Sequence, residues 1–280
     1  MLRSARAGTI FSLVSRAIFG VLLVAVNAGA APPVKPPLAE RGALRVVVVP
    51  DPTRPDFFSM VTGDRPGFER EILEGFARTR QLRLEVVTVK TWDEISQALR
   101  DDRADVVAGH CTDTEARRRS MDFTVGVLPT RTVVVTRRPH PVIVDAKALL
   151  AARLGAVKGS ASHEDALAAG VPKAHIDDSL TQGNMLEMLT TGRVDGVVRA
   201  APLAILSQRD DPGLQLGMFL GPSSSFAWGV QKGDAELLAA LNEHLAIVRR
   251  TGTWSRLVVK YFGASALTIL RPDERRADGQ

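Results

Sequence analysis

Runs of β-branched apolar residues alternate with stretches of helical periodicity from Leu44 onward, and this alternation narrows the possible folds more than any other feature of the chain. Leu44–Val49 is a β-branched run that reads as a buried strand. Phe68, Ile72, Leu73 and Phe76 then recur at helical spacing, with Glu69, Arg70, Glu71 and Glu74 largely on the other face. Leu84–Val89 reads as a second strand, a helix runs through Ile95, Ala98 and Leu99, and Asp105–Ala108 reads as a third strand. This order implies right-handed crossovers and a parallel sheet. A shorter series follows Arg131, with strands at Thr132–Thr136, Leu154–Val157 and Asp195–Val198 and a helical pattern at Met185–Leu189. Phe226–Val230 reads as a late strand. Two helices close the chain, one through Leu237, Leu238, Leu241 and Leu245, the other through Trp254, Leu257, Val258 and Tyr261. Two α/β units are expected, with a ligand between them at the strand carboxyl ends.

A length of 280 residues supports one large core or two smaller ones. The first thirty residues differ in kind from the rest. Arg3 and Arg6 give a basic start, an apolar stretch runs from Ala17 to Val26, and Ala28-Gly29-Ala30 offers a small-x-small cleavage pattern. That order is a secretory signal. The apolar stretch falls short of the roughly 20 residues a spanning helix needs; the alternative is an uncleaved anchor in which Thr9–Val14 joins the same helix. Pro32-Pro33-Val34-Lys35-Pro36-Pro37 reads as a short extended linker. Residues 1–30 hold three of the 36 basic residues and no acid, so the remainder balances 33 basic against 31 acidic. The net charge of +5 therefore owes much to the signal and argues poorly for nucleic-acid binding. Arg117-Arg118-Arg119 is a local basic run, but stacking aromatics are scarce, with a single Tyr in the chain, so a solvated helix face is the better reading. Cys111 is the only cysteine, so no internal disulfide can form, and none follows the signal to carry a lipid.

Motifs for catalysis are missing. There is no G-x-S-x-G, H-E-x-x-H, Walker-type loop or G-x-G-x-x-G. The five histidines are dispersed, with no pair at i, i+4, so neither a metal nor another cofactor is expected. His110 adjoins Cys111, but sequence neighbours point apart along an extended segment.

Four segments in order carry more information. They are Gly67–Ile72; Arg103–Gly109 leading into Thr112-Asp113-Thr114-Glu115-Ala116-Arg117 and Met121–Thr124; Val157–Ser162 followed by Thr191–Val198; and Ala227–Asp234 followed by Gly252-Thr253-Trp254 and Lys260–Gly263. This succession resembles the family-3 extracellular solute-binding proteins, the polar amino-acid receptors of ABC transporters, over Leu44 to Gly263. The same domain forms the non-catalytic N-terminal half of one class of membrane-bound lytic transglycosylases, and Phe226–Gly263 looks close to that branch. With the sequence ending at Gln280, no transglycosylase domain is expected.

The resemblance implies a type II periplasmic-binding-protein fold, two α/β lobes joined by a two-segment hinge. Residues 1–30 would be the signal and 31–40 the linker. Residues 41–130 with 225–265 would form lobe one, 131–224 lobe two and 266–280 a tail, with crossings near Pro129–Val133 and Gly221–Ala227. The implied ligand site comprises Asp51, Glu69, His110, Thr112, Thr114, Arg117, Ser160, Ala161, Arg199 and Ala200. Arg117 would grip a carboxylate bidentately, helped by Thr112 and Thr114, with the helix start after Gly159-Ser160-Ala161 facing the anion from the other lobe. Alternatively Arg117 pairs with a surface acid, and Ser160 or Ser162 merely caps its helix. Two departures from the family stand out. The acid that receives an α-ammonium is replaced by Ala200, with Arg199 beside it, and a stacking aromatic is replaced by Arg54. Asp51 and Glu69 are candidates to replace the missing acid, although Glu69 could simply open a helix.

The functional expectation is a monomeric, non-enzymatic periplasmic receptor that delivers an amino acid or related small carboxylate to an ABC permease, with no nucleic-acid partner. A sensory domain acting on a membrane partner is the main alternative. A dehydratase-like enzyme on the same scaffold is a third.

Overall fold

A strand covered on both faces must be apolar throughout its middle, and β1 (Ala43–Val48) meets this with Val46, Val47 and Val48 all fully buried. The computed structural model describes residues 36–61, 65–264 and 266–269; the expected signal peptide, the start of the linker and the end of the tail lie outside them. Helix α1 (Phe68–Thr79) packs Phe68, Ile72, Leu73 and Phe76 into one core with Leu44, Val46 and Val48, as its spacing predicts. Then come β2 (Arg83–Thr88), α2 (Trp92–Arg100), β3 (Val106–Val107), the single turn α3 (Glu115–Arg118) and β4 (Met121–Phe123). β1 lies parallel to both β2 and β3.

A second unit follows: β5 (Leu128–Arg137), α4 (Ala146–Ala151), β6 (Leu154–Gly155), α5 (Ala161–Ala168), β7 (Ile176–Asp177), α6 (Met185–Thr190), β8 (Gly196–Ala200), α7 (Ala201–Asp210) and β9 (Leu214–Phe226). The chain returns to the first unit as β10 (Gly229–Gln231), α8 (Ala235–Arg250), α9 (Thr253–Phe262) and α10 (Ala266–Ile269). Among the described residues the strands form two five-stranded sheets, ordered β2-β1-β3-β10-β4 and β7-β6-β8-β5-β9.

The sheets are mixed, not parallel as the strand–helix order suggested. β10 runs antiparallel to β3 and β4, and β5 antiparallel to β8 and β9. These strands enter from the neighbouring lobe, so no crossover helix constrains their direction. The expected strand Phe226–Val230 is divided: Phe226 ends β9, and β10 begins at Gly229. Between them Trp228 exchanges backbone contacts with Thr124, donating to Oγ1 at 3.0 Å and accepting from its N–H at 2.9 Å.

The β5–β9 ladder joins the lobes. It begins with Leu128 opposite Phe226, both in the core of lobe one, and ends with Arg137 opposite Leu214, which lies in the core of lobe two. Helix α7 provides a second connection. Its Leu203 and Leu206 pack with lobe one, whereas its Ala204 packs with Val133 and Val135 of the second sheet. The end of the expected linker is held in place. Leu38 is buried against lobe one, its N–H reaching the Glu236 carboxylate at 3.2 Å, and Arg41 pairs with Asp234 at 3.0 Å.

Candidate functional site

The two lobes meet at a narrow cleft lined by residues of both, with a cavity volume of about 30 Å³. From lobe one Arg117 reaches this cleft at the end of α3. Thr114 positions that turn by accepting the Arg117 backbone N–H at 3.3 Å, so its hydroxyl acts as a cap and lies outside the cleft lining. The Arg117 guanidinium donates to the Thr112 carbonyl at 2.9 Å and, across the cleft, to the Gly159 carbonyl at 3.3 Å. Its Cζ stands 4.4 Å from the centroid of the Trp92 ring, a cation–π distance. Among the described residues it pairs with no acid, unlike Arg118, which binds Asp113 and is exposed. The surface-pair alternative for Arg117 therefore fails among those residues.

Lobe two contributes the start of α5. Ser160 accepts the His163 N–H at 3.1 Å and so caps the helix, while Ser160, Ala161 and Ser162 all line the cleft. The first N–H groups of any helix have no partner within it and attract negative charge. The strand end at β8 brings Arg199 and Ala200 to the same wall. Arg199 is buried, and its Nη1 donates to Ser207 Oγ at 2.9 Å. Burial pushes its pKa down to about 10, and Asp51 offsets part of that effect. Ala200 occupies the N-cap of α7 without a side chain to cap it.

His110 lines the cleft from lobe one in a left-handed conformation, φ 54°. Burial, only partly opposed by Asp51, keeps its imidazole neutral by holding the pKa well below the ordinary value. Asp51 stands behind it on a second, smaller cavity. One Asp51 oxygen accepts from the Thr53 N–H at 3.0 Å and its hydroxyl at 2.5 Å. The other, Oδ2, lies 4.0 Å from His110 Nε2 and 3.8 Å from Arg199 Nη2. Arg54 is taken up by Asp210 of α7 at 2.6 Å and thus bridges the lobes.

Glu69 lies behind the cleft wall, and its carboxylate is fully engaged. It accepts from the backbone N–H groups of Gly109 at 3.1 Å and His110 at 2.6 Å and from Trp228 Nε1 at 3.0 Å. Burial outweighs these three donors and pushes its pKa up to about 7. The residue thus holds the His110 loop in place from behind. The structure brings His110, Thr112, Arg117, Ser160, Ala161, Arg199 and Ala200 onto one surface and leaves Asp51, Glu69 and Thr114 off it. Trp92 and Gln182 also line the cleft and were missed from sequence. Thr91-x-x-Glu94, a capping signature, marked Trp92 as the first residue of a helix that follows a strand. Gln182 sits in a turn with no local signal.

Residues 46–264 match the bacterial extracellular solute-binding proteins, family 3. The chain belongs to this family. Its lobes have the periplasmic-binding-protein fold, as expected. An ancestral arginine-binding protein bound to arginine superposes with a TM-score of 0.68 at 26% identity, covering 80% of this chain and 99% of that one. A histidine kinase sensor domain with similarity to periplasmic binding proteins superposes with a TM-score of 0.68 at 25% identity, covering 79% and 96%. In sequence the chain is 28% identical over 231 residues to membrane-bound lytic murein transglycosylase F of Pseudomonas putida, covering 80% of this chain and 47% of that protein. It spans about half the length of the curated relatives it matches.

Proposed function

We propose that this protein captures an amino acid or related small carboxylate in the cleft between its lobes, without transforming it, and delivers it to an ABC permease from the periplasm. The observation that carries this reading is Arg117. A guanidinium from lobe one, unpaired with any acid among the described residues, reaches across the cleft to the residues that precede α5 in lobe two. A carboxylate there would meet donors from both lobes and so favour the closed arrangement. Binding without chemistry is supported by two reactive groups that stand behind the cleft and off its lining. The Cys111 thiol is buried and pushed up in pKa, and Glu69 is saturated with donors behind the wall. Membership of the family supports the transport role. The basic start at Arg3 and Arg6, the apolar stretch and Ala28-Gly29-Ala30 support periplasmic location; among the described residues no helix is long and apolar enough to cross a membrane.

A sensory role is the second reading, favoured by the likeness to the histidine kinase sensor domain. A thermal-shift screen of amino acids, dicarboxylates and keto acids tests capture, because a ligand that binds only the native state raises its melting temperature. No stabilisation by any of them would refute it. Recovery of the protein with Met1 intact in the membrane pellet would favour the sensory reading.

A further inference from the structure

The cleft wall carries two guanidinium groups and, among the described residues, no carboxylate. Arg117 comes from lobe one and Arg199 from lobe two. Arg199 is only 2% exposed, yet its Nε and Nη2 have no hydrogen-bond partner among the described residues. These two atoms form one edge of the guanidinium, the edge that grips a carboxylate with two parallel N–H bonds. Its remaining nitrogen, Nη1, is fixed by Ser207, so the plane of the group is set. Asp51 does not fill the edge. Its Oδ1 is held by Thr53, and its Oδ2, itself without a hydrogen-bond partner among the described residues, balances the charge of Nη2 from 3.8 Å without bonding to it. Buried donors without partners are rare and costly in folded proteins, and such a pair on a residue that lines the cleft points to an anionic ligand group.

The neighbouring positions argue against an amino acid. An α-ammonium needs an acceptor in a closed cleft. Ala200 supplies none, the amide of Gln182 is uncharged, and the nearest carboxylate, Asp51, stands behind neutral His110 with its Oδ2 engaged in the ion pair to Arg199. A zwitterion would therefore place its cation between two guanidinium groups. A second carboxylate in the same place would be attracted.

We infer that the preferred ligand is a small dicarboxylate, with one carboxylate on Arg117 and the other on the Nε/Nη2 edge of Arg199. This deepens the reading of the cleft as a carboxylate-capturing site and rests on it. Calorimetric titration with succinate, glutarate, butyrate and glutamine tests the inference. Succinate or glutarate binds tighter than butyrate and glutamine by roughly tenfold or more. Arg199→Met abolishes that advantage, bringing the diacids down to the affinity of butyrate, whereas Arg117→Ala weakens every acid. The wild-type ranking decides the matter even if Arg199→Met fails to fold. Binding of butyrate or glutamine as tight as that of the diacids, and dependent on Arg117, would overturn the dicarboxylate inference and leave the cleft reading intact. Failure of all four compounds to bind would overturn both.

Discussion

Glu69 gives the most quantitative test of how the site is held. The perturbation is pH, compared between wild type and Glu69→Gln. In the folded protein burial pushes the Glu69 carboxyl from its ordinary value of 4.5 up to about 7, despite donors from Gly109, His110 and Trp228. Below pH 4.5 both folded and unfolded chains hold the proton, and the residue contributes no pH dependence. Between 4.5 and about 7 the unfolded chain releases it while the folded chain keeps it, so stability falls as pH rises. Above about 7 the loss is complete. At 1.36 kcal/mol per pH unit the gap is worth about 3 kcal/mol. His110 acts in the opposite sense. Its folded pKa is depressed, so its contribution is present above the ordinary histidine value and lost as pH falls. Urea unfolding of the wild type between pH 4 and 8 should therefore show a shallow profile. Glu69→Gln should unmask the His110 slope, with stability dropping toward acid, and His110→Asn should unmask the Glu69 slope, with stability dropping toward neutral pH. Asn suits the left-handed φ of 54° at this position. Parallel profiles for Glu69→Gln and wild type would refute the reasoning, because the carboxyl would then have the same pKa folded and unfolded.

Three further outcomes follow from the structure and the sequence. Gly67→Ala should destabilise the protein by roughly 2–4 kcal/mol in thermal unfolding: Gly67 has φ 93°, and an added Cβ would stand 2.7 Å from backbone atoms of Phe57 and Phe58. Ala200→Asp should stabilise the unliganded protein by about 1 kcal/mol by capping α7. The same variant places a carboxylate on the cleft wall, so the thermal shift given by glutamine should rise and that given by succinate should shrink. N-terminal sequencing of an osmotic-shock fraction should begin at Ala31; an intact Met1 would count against a cleaved signal.

The parts of the fold that repeat a simple period were legible in the sequence. Val46–Val48 and the Phe68, Ile72, Leu73, Phe76 stripe declared their strand and helix because burial alone decides those positions. β9 was not legible. Gly217, Gly221, Pro222 and three serines interrupt its pattern, and both glycines and the proline have a structural cause or licence. A Cβ at Gly217 would come within 2.3 Å of the Ile143 carbonyl, Gly221 has φ 63°, and Pro222 is tolerated because β9 lies at a sheet edge. Strand direction was also hidden, since β5 and β10 owe it to the crossing between lobes. At the site, Arg117, Ser160 and Ala161 follow from motif order. Gln182 could not be found, because only the packing of lobe two brings its turn to the cleft. Glu69 shows the converse: an acid in a recognised motif whose structural partners are all backbone or indole N–H groups.

The central claim is that Arg117 anchors a carboxylate in the interlobe cleft. The most direct measurement is calorimetric titration of wild type and Arg117→Ala with whichever acid gives the largest thermal shift. Loss of one partner of a desolvated charge pair costs roughly 2–5 kcal/mol, so the variant should bind well over tenfold more weakly, while Arg118→Ala, already paired with Asp113 outside the cleft, should match wild type. Equal affinity of Arg117→Ala and wild type would contradict the account.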